Sequence, residues 1–192
     1  MEKIISLFQR NYGTDRLVRN EVVSGAEWVL AGEGMATRKF DGTCCLVKDG
    51  VLWKRFDAKR GKKPPDGFVP AQDPDPQTGH WPGWVPVGDG PEDRWHREAW
   101  TSAIDAYGGP REDGTYELCG PKVQGNPEGF DHHALVCHGV DELSDAPRTF
   151  DALRAYFADT VEIEGIVWHH PDGRMVKIKG KDFGIRRGKK EA

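Results

Sequence analysis

Residues 39–56 read KFDGTCCLVKDGVLWKRF, and this stretch predicts the start of an antiparallel sheet. Two strand-like runs, 44–48 and 51–56, flank the dipeptide Asp49-Gly50. Asp-Gly between two such runs indicates a hairpin, because both turn positions take a positive φ. The sequence Lys39-Phe-Asp-Gly42 comes directly before the hairpin, and on its own it is compatible with an ordinary surface turn.

The rest of the chain mixes predicted helices and strands without strict alternation. Apolar residues at helical spacing predict one helix from Pro91 to Tyr107 and another around 150–157. Further strands are predicted over 115–119, 133–138, 161–168 and 174–179. This order favours an α+β fold with mostly antiparallel sheets over a doubly wound parallel sheet.

The length and charge of the chain limit what it can be. Its 192 residues suffice for one sizeable core, so a single domain over 1–192 is expected. Within it, residues 61–91 are predicted to form a long Pro/Gly-rich loop and residues 180–192 a basic tail. The net charge of −4 excludes a general attraction to polynucleotides, so any such contact must come from a local patch.

The sequence also bounds the compartment and the metal chemistry. No apolar run is long enough for a signal peptide or a membrane span. The four cysteines lack the spacing of zinc ligands and are interpreted as reduced core residues of a cytoplasmic protein. A histidine metal site is not predicted either, because adjacent histidines point apart in a strand and no carboxylate joins them at ligand spacing. The histidines considered are His132, His133, His138, His169 and His170.

Three further groups of residues follow Lys39 along the chain. They are Tyr116-Glu-Leu118, Glu164-Gly-Ile-Val167 and Lys177-Ile-Lys179, each in a predicted strand. Alternate residues of a strand share a face, so Lys177 and Lys179 are expected to point to the side where Lys39 could lie. Each group alone is typical of a solvated strand face, but their joint occurrence in this order is much harder to explain that way.

Together these groups resemble the nucleotidyl motifs of the covalent nucleotidyltransferase superfamily, which comprises polynucleotide ligases and mRNA capping enzymes. Lys39-Phe-Asp-Gly resembles motif I, Tyr116-Glu-Leu motif III, Glu164-Gly-Ile-Val motif IV and Lys177-Ile-Lys motif V. The resemblance covers residues 36–180. It is closest to the minimal single-domain ATP-dependent RNA ligases, in particular a 5′-to-3′ RNA ligase family that also occurs in vertebrates.

This resemblance implies both a fold and a reaction. The fold is a nucleotidyltransferase (ligase adenylation) fold, with mostly antiparallel sheets and flanking helices around an ATP cleft. Too few residues follow Lys179 for a five-stranded OB domain, which disfavours capping enzymes and DNA ligases. The implied substrate is RNA with 5′-phosphate and 3′-hydroxyl ends, and the protein is expected to be a monomer. AMP first attaches to Lys39, then passes to the RNA 5′-phosphate, and leaves when the 3′-hydroxyl attacks.

The resemblance also assigns roles around the nucleophile. Lys39 attacks the α-phosphate of ATP, and its amine must be neutral to do so; neighbouring cations favour the neutral form of an amine. Lys177 and Lys179 contact the phosphates and stabilise their charge. Glu164 is expected to hold Mg²⁺ or Mn²⁺, directly or through water.

The remaining nucleotide contacts are expected around the first hairpin and beyond it. Asp41 is expected to organise the turn beside the nucleophile, and Gly42 to allow a close backbone approach. Glu117 resembles the glutamate that accepts a hydrogen bond from a ribose hydroxyl. Arg55 and Arg60 both qualify as the basic residue that contacts ribose or phosphate.

The side chain that packs on adenine is not identified by the pattern. The stretch 131–138 lies where that residue is expected but contains no Phe or Tyr, so either Leu135 or a histidine is the candidate. The loop 120–126, with glycines and a lysine, is interpreted either as a contact to phosphate or RNA backbone or as a simple connection. Two other function classes stay open: a nucleotide-binding pseudo-enzyme, and another nucleotidyltransferase such as a GTP-dependent capping-type enzyme or a protein AMP transferase.

Overall fold

The structure is a computed structural model that describes residues 2–76, 78–101, 104–109 and 111–188. The strands are, in chain order, β1 Ile5–Ser6, β2 Phe8–Arg10, β3 Val18–Val22, β4 Met35–Lys39, β5 Thr43–Lys48, β6 Val51–Ala58, β7 Val69–Pro70, β8 Trp81–Pro86, β9 Gly114–Cys119, β10 Ala134–Cys137, β11 Gly165–His169 and β12 Met175–Lys179. The helices are α1 Glu27–Leu30, α2 Arg94–Trp100 and α3 Phe150–Asp159, with 3₁₀ turns at Pro91–Asp93 and Gly180–Phe183. The predicted α+β class with mostly antiparallel sheets is confirmed.

The chain divides into two compact units. The first unit comprises Met1–Lys3 and Asp41–His138, and the second unit comprises Ile4–Phe40 and Gly139–Ala192. No helix within the described part of the chain is both long enough and apolar enough to cross a bilayer.

The first unit is built on a six-stranded antiparallel sheet with the order β10-β9-β5-β6-β8-β7. The predicted hairpin forms β5 and β6, and Asp49 and Gly50 take φ of 52° and 73° at its turn. One sheet face packs under α2 in an apolar cluster. This cluster consists of Cys45, Val47, Leu52, Ala99, Tyr116, Leu118, Val123 and Leu135. The side chains of the other sheet face are therefore available for polar chemistry.

The second unit is built on a four-stranded sheet with the order β1-β12-β11-β4, in which only β1 and β12 run parallel. A separate ribbon pairs β2 with β3. Alternate residues of β11 and β12, such as Ile166, Trp168 and Ile178, are buried in a core that also takes Leu153 and Phe157 from α3. The opposite face of β11 and β12 carries the motif lysines.

Two sequence predictions need correction. The stretch 61–91 is not only a loop, because β8 lies inside it and pairs with β6 and β7. The helix predicted over 91–107 is shorter, since α2 ends at Trp100 and both Ile104 and Tyr107 are half exposed. Ala103 of that predicted helix, and residues 189–192 of the predicted basic tail, lie outside the described residues.

Candidate active site

Lys39 and Lys179 face a shared carboxylate in the second unit. Lys39 is opposite Gly165, and Gly165 is opposite Lys179, so one row across three strands carries both lysines. Glu164 comes directly before β11. Its Oε2 lies 2.6 Å from the Nζ of Lys39, and its Oε1 pairs with the Nζ of Lys179. The carboxylate of Glu164 therefore joins the two lysines that flank it.

The charges of this cluster are strongly coupled. Burial alone would raise the pKa of Glu164, but the charges and hydrogen bonds of Lys39 and Lys179 outweigh burial and hold that pKa below its ordinary value. Lys177 lies two residues before Lys179, on the same face of β12, as strand alternation predicts. Burial first, and then the charges of Lys179 and Lys39, lower the pKa of Lys177 to about 8. The cluster thus combines one buried carboxylate with three lysines.

Gly165 lies at the centre of this row of side chains. A Cβ at this position would lie 2.3 Å from the carbonyl oxygen of Ile178 and 3.0 Å from the Cα of Lys179. Real Cβ atoms do not approach backbone this closely, so only glycine fits without a shift of β12. Glycine also leaves no side chain between Lys39 and Lys179, which keeps this strip of the sheet open to a ligand.

The cluster has the chemistry that a nucleoside triphosphate and a divalent cation require. Lys177 and Lys179 supply ammonium groups for phosphate oxygens, while Lys39 supplies a potential nucleophile. Glu164 supplies hard oxygen ligands for Mg²⁺ or Mn²⁺. A cation would compete with the two lysines for the same oxygens, because both oxygens of Glu164 contact an ammonium group.

In the first unit, two buried glutamates accept hydrogen bonds from the backbone that follows Phe40. The N–H of Asp41 donates to Oε1 of Glu128 at 2.8 Å, and the N–H of Gly42 donates to Oε1 of Glu117 at 3.0 Å. A Cβ on Gly42 would lie 2.2 Å from the carbonyl oxygen of Leu118. Gly42 therefore lies against the backbone of β9, where a side chain would not fit. Glu128 was missed because an isolated loop glutamate has no sequence signal.

Glu117 also contacts a histidine that the sequence pattern did not connect with it. The Oε2 of Glu117 lies 2.9 Å from Nε2 of His138, whose Nδ1 lies 2.9 Å from the hydroxyl of Thr115. Glu117 and Thr115 are alternate residues of β9, so they share a face. The pairing of β10 with β9 brings His138 to them, and that register was the missing information.

Only one of the two candidate arginines lies near Glu117 in the sheet. The register of β5 and β6 places Arg55 beside Cys44, which is directly opposite Glu117. The guanidinium carbon of Arg55 lies 4.9 Å above the ring of Trp84. Burial lowers the pKa of Arg55, against the opposing charges of Cys44 and Asp57. Arg60, in contrast, is exposed beyond the end of β6, and its aliphatic carbons pack beside Gly79. The structure therefore groups Arg55, and not Arg60, with Glu117.

Leu135 does not lie on the face that carries Glu117, which corrects its assignment as the side chain against adenine. Leu135 is opposite Leu118, and its neighbour Val136 is opposite Glu117. Opposed residues of paired strands share a face, so Leu135 points into the cluster under α2, where it is 1% exposed. A side chain packed in this core cannot stack on a ligand.

Comparison with known proteins finds one family and several relatives. The model of the RNA ligase 1 family matches residues 110–192, a range that includes Glu117, Glu164, Lys177 and Lys179. The chain is 29% identical to RNA ligase 1 of Danio rerio and 29% identical to RNA ligase 1 of Mus musculus. Each alignment covers 79% of this chain and 67% of the relative.

Proposed function

We propose that this chain, which is similar to RNA ligase 1 proteins, is an ATP-dependent RNA ligase that works through a covalent lysyl-AMP. The observation that carries the proposal is the cluster of Lys39, Glu164, Lys177 and Lys179 on one sheet face. The relatives support RNA joining in general. The use of ATP, the identity of the nucleophile and the nucleotidyltransferase assignment of the fold are our inferences from this cluster and its motifs.

The proposed reaction has three balanced steps. The neutral Nζ of Lys39 attacks the α-phosphorus of ATP, an N–P bond forms, the nitrogen loses one proton to solvent, and the bond to the bridging oxygen breaks as pyrophosphate leaves. An oxygen of the RNA 5′-phosphate then attacks the same phosphorus and breaks the N–P bond, and the nitrogen takes up a proton from solvent, which restores Lys39. Finally, the RNA 3′-hydroxyl oxygen attacks the activated 5′-phosphorus, loses its proton, and displaces AMP.

Glu164 is proposed to control the protonation state of Lys39 through the ion pair between them. While its carboxylate lies 2.6 Å from the Nζ of Lys39, it stabilises the ammonium form, which cannot attack. Movement of Glu164 away from Lys39 leaves the amine beside the positive charges of Lys177 and Lys179, which favour its neutral form. A divalent cation held by Glu164 would supply charge neutralisation at the phosphoryl oxygens.

Residues of the first unit are proposed to bind the nucleoside part. Glu117 is proposed to accept from a ribose hydroxyl, and it already accepts from the N–H of Gly42. Asp41 is proposed to keep the turn after the nucleophile in shape, supported by the bond of its own N–H to Glu128. Arg55 is preferred to Arg60 as the basic contact because it shares a sheet face with Glu117.

A test of this function uses RNA strands that differ only in their ends. The protein is incubated with Mg²⁺, with ATP or GTP, and with nicked or single-stranded RNA, and joined product is resolved on a denaturing gel. We expect product only with ATP, a 5′-phosphate and a 3′-hydroxyl. Glu164→Gln should lower the joining rate by roughly 100-fold or more, whereas Glu162→Gln, an exposed change two residues away, should not.

Other outcomes of the same assay decide against the proposal. Activity with GTP alone, together with transfer of GMP, would favour a capping-type enzyme. ATP binding without any joined or adenylylated RNA, for every combination of ends, would favour a nucleotide-binding pseudo-enzyme. Transfer of AMP to a protein with no requirement for RNA ends would favour a protein AMP transferase.

A further inference from the structure

Three adjacent strands of the first unit bring Cys44, Glu117 and His138 together. Their ligand-type atoms, one sulfur, one oxygen and one nitrogen, all lie within 4.8 Å of one another. Cys44 is directly opposite Glu117 in the pairing of β5 with β9. His138 follows β10 directly, and Val136 on β10 is opposite Glu117. The sheet register thus assembles three metal-ligand side chains that are far apart in sequence.

The imidazole of His138 is held as a metal-binding histidine usually is. Its Nδ1 lies 2.9 Å from the hydroxyl of Thr115, which fixes the ring and directs Nε2 toward Oε2 of Glu117 at 2.9 Å. The other oxygen of Glu117 accepts from the N–H of Gly42. Oε2 of Glu117 and Nε2 of His138 are therefore the two atoms that a cation would take, in place of the hydrogen bond they now share.

The sulfur of Cys44 determines which class of cation the three side chains favour. Its sulfur lies within 4.8 Å of the ligand-type atoms of Glu117 and His138, and a cysteine sulfur ligates metals as the thiolate. Cys45 cannot replace it, because adjacent strand residues point to opposite faces and Cys45 is fully buried in the apolar cluster.

We propose that Cys44, Glu117 and His138 bind a divalent transition metal of the zinc class. One thiolate, one imidazole and one carboxylate form a borderline-soft set that suits Zn²⁺, and three protein ligands leave a fourth tetrahedral position for water. Mg²⁺ is not the expected occupant, because it prefers an octahedral set of oxygen atoms. Binding releases the thiol proton of Cys44 to solvent.

This site has a consequence for activity that rests on the proposed function. The metal takes the Glu117 oxygen proposed to accept from ribose, so metal and nucleotide compete for one carboxylate. Zinc-class ions are then inhibitors of the AMP transfer to Lys39, even when Mg²⁺ is in excess.

The test of the site needs no nucleotide, so its result is independent of the proposed reaction. Purified protein is titrated with Co²⁺, and binding is followed by visible absorption and by the sulfur-to-cobalt charge-transfer band. We expect one equivalent to bind with that band. Cys44→Ser and His138→Gln should each weaken binding by more than roughly tenfold and Cys44→Ser should remove the band, while the matched controls Cys137→Ser and His132→Gln should bind as the wild type does.

Two results would overturn the site: no stoichiometric Co²⁺ binding to a folded wild-type protein, or an unchanged charge-transfer band in Cys44→Ser. Thermal unfolding of each variant shows whether it is folded. If Cys44→Ser is unfolded, the loss of Co²⁺ binding in His138→Gln tests the site instead. The competition is tested separately, by the zinc concentration that halves self-adenylylation. It should be higher in Cys44→Ser than in wild type, and equal inhibition of both would overturn the competition.

Discussion

The Nζ of Lys177 lies in a partly buried and positively charged environment, which sets it apart from an ordinary surface lysine. Burial, Lys179 and Lys39 all lower its pKa, and the opposing charges of Glu164 and Asp182 do not compensate. The ammonium groups of Lys39 and Lys179 therefore repel that of Lys177. Phosphate oxygens would offset this repulsion, as the proposed binding of ATP requires.

This environment predicts a specific dependence of stability on pH. The pKa of Lys177 is about 8 in the folded protein and near its ordinary value of 10.5 in the unfolded chain. Between these values the unfolded state binds more protons, so the contribution of Lys177 to the free energy of unfolding rises as pH increases. Lys177→Met removes this contribution. Urea unfolding is measured at about pH 7.5, just below this window, and at about pH 10, inside it. As the pH rises from the first value to the second, wild type should gain stability relative to Lys177→Met.

The control for this prediction is Lys181→Met, an exposed lysine on the following turn. Its stability difference from wild type should be the same at both pH values. If Lys177→Met behaved like this control, the burial and charge argument for Lys177 would be wrong.

At the scale of elements, the sequence indicated the strands whose pattern is local. The Asp49-Gly50 hairpin and the strand-like runs of β9, β10 and β12 carry their signal in neighbouring residues, and the structure contains all of them. β8 was missed because Pro82, Gly83 and Pro86 are signals of a loop. It forms nonetheless because it pairs on both sides, with β6 and β7, and buries Trp84 and Val85.

Register was the second piece of information that the sequence lacked. A shift of one residue moves every side chain of a strand to the other face. Leu135 and Val136 are adjacent and both apolar, so the pattern could not decide which one shares a face with Glu117. The same uncertainty hid the contact of Glu117 with His138 and the proximity of Cys44 to Arg55, although each residue was visible in the sequence.

The pairing of β11 with β12 depends on Gly165, which gives a prediction at this scale. In Gly165→Ala, the added methyl group would meet the carbonyl oxygen of Ile178 at 2.3 Å, so β12 must move away and take Lys177 and Lys179 with it. We expect the rate of self-adenylylation to fall by roughly 100-fold, since small misplacements near reacting groups have effects of this size. Circular dichroism and thermal unfolding, measured in parallel, report how much of the sheet is retained.

A glycine on a strand of the other sheet provides the comparison. At Gly114, the first residue of β9, the one contact that a Cβ would make with the described residues is with the ring edge of Tyr116 at 4.0 Å. Gly114→Ala should therefore keep both stability and self-adenylylation near wild-type values. Equal activity of the two alanine variants would show that the close approach at Gly165 does not matter.

At the scale of the whole molecule, the chain passes from the second unit to the first directly after Phe40 and returns after His138. Lys39, Glu164, Lys177 and Lys179 therefore belong to one unit, whereas Glu117 and Arg55 belong to the other. The net charge of −4 offers no general attraction for RNA. A polynucleotide partner must be recognised by local cations and by the chemistry of its ends, which agrees with a ligase more than with a general RNA-binding protein.

The most direct test of the central claim is the covalent capture of AMP on Lys39. Wild type, Lys39→Ala and the control Lys48→Ala, an exposed lysine at the end of β5, are incubated with α-labelled ATP and Mg²⁺, denatured and resolved on a gel. The labelled wild type is then chased with 5′-phosphorylated RNA. We expect an acid-labile label on wild type and Lys48→Ala, none on Lys39→Ala, and transfer of the label to RNA. A label that persists in Lys39→Ala, or a folded wild type that takes no label from ATP, would contradict it.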